Sequence, residues 1–141
     1  MSALESLVRL HRWQLDERRR DLATLEDLAA KLVEERARLD AEDVREQAAA
    51  SASPEAAFGY AAYARGLIDR RRKLKRSRAE TAERIVEARE ALAAAFAELK
   101  RYEIAVATRL RQQQQQEARR QQQVLDDIGT EGFRRKSGGE S

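Results

Sequence analysis

The sequence predicts an all-α protein: a two-helix antiparallel coiled-coil hairpin whose second helix is longer than the first. Three observations carry this. Apolar residues recur every seven positions over two long stretches, which is the spacing that keeps one seam of a helix facing a partner helix. One proline, Pro54, stands in the whole chain, and it stands between those stretches. Charged residues make up 38% and aromatic residues 5% of the 141 positions. That mix suits long solvated helices and supplies too few bulky apolar groups for a two-layer core.

The first helix is expected from about residue 4 to residue 47. Val8, Leu15, Leu22 and Ala29 form one heptad line, and Leu4, His11, Leu25, Leu32 and Leu39 form the other. Leu7, Leu28 and Val33 widen the stripe. Arg18, Arg36, Asp43 and Glu46 also fall on the seam and are expected to loosen it, although an arginine stem can cover apolar surface while its charge stays in water. The break spans residues 48–53. Ser53 is placed to cap the next helix, Pro54 suits its first position, and Glu55 favours the positive end of the helix dipole.

The second helix is expected over 54–128, with Leu67, Leu74, Thr81, Ala88, Ala95 and Tyr102 on one line and Ile85, Leu92, Leu99 and Val106 on the other. Gly129 reads as its stop, and residues 130–141 as a disordered, glycine-containing tail, which leaves 1–129 as one domain. At about 1.5 Å per residue the helices would measure roughly 65 and 110 Å. A short connection makes them antiparallel neighbours. Folding about the break would bring the chain start near residue 103, so the rest of the second helix would overhang. That overhang holds Arg109, Arg111, Gln112 to Gln116, Arg119, Arg120 and Gln121 to Gln123, and is polar nearly all round. A lone polar helix is marginal in water and gains from a partner. The glutamine run itself reads as a low-complexity helical extension.

Catalysis and cofactors find no support. His11 is the sole histidine, it lies on the seam, and no cysteine exists to join it in a metal site. The acid pairs Glu34–Glu35 and Asp126–Asp127 lie on solvated helices with no pocket to raise a pKa. No glycine-rich phosphate loop follows a strand. The expectation is a non-enzyme without cofactors. No apolar run nears the roughly 20 residues of a membrane span, the start Met1–Glu5 lacks a secretory apolar region, and the expected location is the cytoplasm.

Two features point to binding. Residues 65–78 hold Arg65, Arg70, Arg71, Arg72, Lys73, Lys75, Arg76 and Arg78 against one acid, Asp69. Such a run suits an acidic protein, nucleic acid or an anionic membrane. It is equally readable as charge neutralised by Glu34, Glu35, Asp40, Glu42, Asp43 and Glu46 on the first helix. No readout motif for nucleic acid accompanies it, and none is expected as a partner. The segment Phe58 to Ile68 is aromatic-rich, with Tyr60, Tyr63 and Leu67 on one face. It reads either as a binding patch at the hairpin tip or as a local cluster closing that end.

The pattern resembles the FliJ family of the flagellar type III export apparatus. The residues that carry the likeness are Leu4–Leu7–Val8–Arg9–Leu10, Phe58–Tyr60–Tyr63–Leu67–Ile68–Arg71, Leu92–Phe96–Leu99–Lys100 and Leu125–Asp126–Asp127–Ile128–Gly129. The resemblance implies a coiled-coil stalk in the pore of the hexameric export ATPase, which it activates. It also implies contact with the export-gate membrane protein and with export chaperones. The implied gate-contact residues are Tyr60, Tyr63, Leu67 and Leu74. The basic residues offered to the ATPase ring are Arg9, Arg12, Arg109, Arg111, Arg119 and Arg120. Tyr63 stands where relatives often carry phenylalanine, and Arg70 where a small residue is common. The chain would be a monomeric hairpin in isolation, at most peripheral to the membrane. A virulence-type secretion stalk and a basic coiled coil binding nucleic acid are the alternatives.

Overall fold

The computed structural model describes residues 2–138. It contains two helices, α1 (Ala3–Ala50) and α2 (Pro54–Gly138), and no strand among the described residues. The all-α, two-helix antiparallel architecture with the longer helix second is therefore the one observed. α1 opens with a reciprocal cap: the Glu5 N–H donates to Ser2 Oγ at 3.2 Å, and the Ser2 N–H donates to Glu5 Oε2 at 3.0 Å. Two orphan donors of the first turn are satisfied in this way.

α1 runs to Ala50, three residues past the expected end, because Ala48, Ala49 and Ala50 are the best of helix formers. Its last turn is closed by Ser51 Oγ donating to the Ala48 carbonyl at 2.7 Å. Ser53 Oγ then accepts from the Ala56 N–H at 3.1 Å, and Pro54 begins α2. The connection is thus three residues long.

At the far end the expectation needs correction. Gly129 does not stop α2, which continues through Gly132 to Gly138. A glycine ends a helix by adopting a left-handed conformation, and no glycine has a positive φ among the described residues. Glu131, Arg134, Arg135 and Lys136 are good helix formers, and Arg135 and Lys136 sit at the negative end of the helix dipole. Helix rather than disorder therefore occupies residues 130–138, and the last three positions of the expected tail lie outside the described residues.

Contacts divide the chain into two compact units. One comprises Arg12–Phe96, and the other Met1–His11 with Ala97–Ser141. Within the first unit α1 and α2 are antiparallel: Glu26 pairs with Arg89, Asp40 with Arg71, and Asp43 with Tyr60. Its core is a cluster of Leu39, Leu67 and Leu74, with Leu32 and Tyr63 packed against it, and Leu15 and Thr81 are buried along the same seam. Thr81 satisfies its hydroxyl on the Ser77 carbonyl at 2.7 Å, so its burial leaves no open donor. Within the second unit Val8 and Leu99 are buried, the rings of His11 and Tyr102 stack at 4.5 Å, and Leu4 shares a shallow groove with Val106 and Leu110.

Candidate interaction surfaces

In the unit Arg12–Phe96, the early part of α2 turns two different faces to its surroundings. The inward face carries the four residues implied in gate contact. Leu67 and Leu74 are buried in the leucine cluster, and Tyr60 and Tyr63 are half-buried beside α1. Leu67, Leu74 and Tyr63 pack with Leu39 and Leu32, and Tyr60 lies beside Tyr63 with its hydroxyl on Asp43. The segment thus packs as a local cluster beside α1, one of the two readings its sequence allows. The reason is periodicity: Tyr60, Tyr63, Leu67 and Leu74 recur at the spacing of the seam, so the face that aligns them is the face that packs.

A polar network seals the same seam. Asp43, only 8% exposed, accepts from Tyr60 Oη at 2.8 Å, Gln47 Nε2 at 3.1 Å and Arg71 at 3.5 Å. Arg71 also donates to Asp40 at 2.9 Å, and Arg70 reaches Glu42 with two bonds of 3.2 and 3.4 Å. A buried carboxylate left alone would be costly; three donors make it tolerable. The Arg71 bond, followed by Arg36, holds the Asp40 carboxyl below the usual range, and the fork from Arg70 does the same for Glu42. Both guanidinium groups are shifted upward by the same bonds. Tyr63 differs from Tyr60. Its hydroxyl is buried without a hydrogen-bond partner, and burial, then neighbouring Glu42, raises its pKa above the usual phenol range.

The basic run is therefore neutralised in part. Arg70 and Arg71 are spent on α1 carboxylates. Arg65, Arg72, Lys73, Lys75, Arg76 and Arg78 are exposed, and none makes an ion pair among the described residues. The opposite charge on the two stretches is the sequence signal for this pairing, one of the two readings of the run. It does not show which two of eight cations turn inward; that follows from their angular position next to Leu67 and Leu74.

The residues offered to an ATPase ring lie on exposed helix. Arg9, Arg109, Arg111, Arg119 and Arg120 belong to the unit of Met1–His11 and Ala97–Ser141, and Arg12 to the other. Arg109 lines the groove with Leu4, Glu5 and Gln113. Arg120 pairs with Glu117 at 3.5 Å along its own helix, an exposed pair worth little. From residue 107 to residue 138 every position is exposed, including Leu110, Val124, Leu125, Ile128 and Phe133. Among the described residues no group of His, Asp or Glu could hold a metal ion, and no helix is long and apolar enough to cross a membrane.

The family model described as Flagellar FliJ protein matches residues 1–138, nearly the full chain. The chain belongs to the FliJ family. FliJ proteins are stalk proteins of flagellar type III export and are not an enzyme family. Membership therefore assigns the chain to that export system in general terms. No curated protein and no solved structure matches it at a significant level.

Proposed function

We propose that this FliJ-family chain is the non-enzymatic stalk that binds and activates the hexameric flagellar export ATPase and contacts the export gate. The observation that carries the reading is the distal part of α2. Residues 114–137, about 36 Å of helix, lie exposed and continuous along α2. Such a helix is marginal alone and is stabilised by a surrounding protein surface. Arg109, Arg111, Arg119 and Arg120 then meet acidic groups of the ring, with Arg9 and Arg12 adding to the basic surface of α1. One asymmetric helix pair cannot contact six equivalent subunits alike, so it biases their conformations unequally, and that differential binding activates hydrolysis. The gate contact uses the half-exposed rims of Tyr60 and Tyr63, which Leu67 and Leu74 hold in place from the core. Export chaperones are further partners, and the site of action is the cytoplasmic face of the basal body.

The test is ATP hydrolysis by the cognate export ATPase with about one copy of this protein per hexamer. Stimulation that is lost in Arg119→Ala/Arg120→Ala supports the reading. No stimulation by folded protein, with the ATPase shown to be competent, overturns it.

A further inference from the structure

The outward face of early α2 is not used by any contact described above. Phe58, Arg65 and Arg72 recur at seven-residue spacing opposite the seam, and Arg76 follows Arg72 by one turn. Ile68, Lys73 and Lys75 flank this line. All are exposed, Phe58 at 82% and Ile68 at 50%. Asp69 is the only acid among them, and the sign of the outer face changes beyond Arg78 with Glu80, Glu83 and Glu87. The result is a straight cationic strip about 27 Å long. It starts near the positive end of the α2 dipole, which adds to its potential.

We infer that this strip docks on an anionic phospholipid membrane surface. Its five cations, Arg65, Arg72, Lys73, Lys75 and Arg76, have no acid partner among the described residues. They complement a negatively charged headgroup layer, which is planar and long enough to meet all of them at once. Phe58 and Ile68 select a bilayer over nucleic acid. Apolar side chains standing among cations enter the headgroup boundary, and the arginine and lysine stems lie along the same apolar layer. The phosphate backbone of a duplex offers no apolar layer for such side chains to enter. The opposite side sets the orientation. α1 carries Asp40, Glu42 and Asp43, whose charges are already engaged by arginines, together with exposed Glu34 and Glu46. Lys31, Arg36, Arg38 and Arg45 balance the remaining acids of α1, so that side offers an anionic surface no net attraction, whereas the α2 strip does.

Co-sedimentation of the full chain with phosphatidylcholine vesicles, with and without phosphatidylglycerol, tests the inference. Binding is expected only with the anionic lipid and is expected to fade toward 1 M salt, where the screening length is about 3 Å. Arg72→Ala/Arg76→Ala should weaken partitioning about 30-fold, at roughly 1 kcal/mol per basic residue, and Phe58→Ala several-fold. Lys31→Ala/Arg45→Ala removes the same charge from α1 and should change little; an equal loss there would reduce the effect to net charge and overturn the assignment. Equal binding to neutral vesicles, or no change in the Arg72/Arg76 variant, overturns it as well. So does preferential binding to an oligonucleotide that Phe58→Ala leaves intact. Stimulation of the ATPase should survive in the Arg72/Arg76 variant, which separates this outcome from failure of the stalk reading.

Discussion

The segment of α2 from Tyr60 to Leu74 and the segment beyond Gln113 belong to one unbroken helix but are held by different physics. The first buries Leu67 and Leu74 and spends Tyr60, Arg70 and Arg71 on partners in α1. The second is exposed throughout, and its polar contacts are local ones such as Gln122 to Asp126 at 3.0 Å and Arg120 to Glu117. The contrast shows that helicity alone says little about what fixes a helix. One segment takes its stability from tertiary packing. The other has backbone hydrogen bonds and intrinsic propensity, which in isolation are close to balanced by conformational entropy.

The leucine cluster is expected to give the largest loss of stability. Leu39 is 2% exposed, and Leu39→Ala should cost about 2–5 kcal/mol, read as a lower melting temperature by circular dichroism. Leu22→Asp and Leu92→Asp, on half-buried seam positions, should also unfold the pair; a melt unchanged from the parent would show that the seam does not hold the fold. Mild acid comes next. Asp40 and Glu42 have folded pKa values below their unfolded ones. Their contribution is therefore present above the ordinary carboxylate range of about 4 and is lost as pH falls through the lower folded values. Hydrogen-exchange protection, taken relative to the intrinsic rate at each pH, should fall there for residues 39–43 and 60–74, while protection beyond Gln113, already low, should not respond.

The two tyrosines sharpen the same point. Tyr60→Phe removes a 2.8 Å bond to a buried carboxylate and should cost about 1.5–3 kcal/mol. Tyr63→Phe removes a buried hydroxyl with no partner and should be neutral or slightly stabilising in a denaturant titration. Equal losses at the two positions would contradict the network as described. The smallest effect is expected in the exposed segment. Gln115→Gly should cost about 1 kcal/mol of helix propensity locally, seen as reduced ellipticity with an unchanged main transition. If the main transition moves instead, the distal segment is part of the cooperative fold.

Much of the architecture was legible in residue order. The heptad lines name Val8, Leu15, Leu39, Leu67, Leu74 and Leu99, all of which are buried, because a seven-residue repeat can present only one face to a partner. Ser53–Pro54–Glu55 marks the start of α2 through local capping chemistry that needs no tertiary information. The family likeness was legible as well, since it rests on apolar and charged positions spread over the whole chain. Gly129 was misread because a glycine permits a helix end without requiring one. Tertiary structure alone decided which polar residues turn inward. Asp43 on the seam looked like a defect in sequence and is instead the acceptor for three donors. Tyr60 and Tyr63, which the sequence left open between a surface patch and a local cluster, turn toward α1. The physical reason is common to both cases. Sequence spacing specifies which residues share a face, whereas burial and hydrogen bonding depend on what α1 places opposite that face.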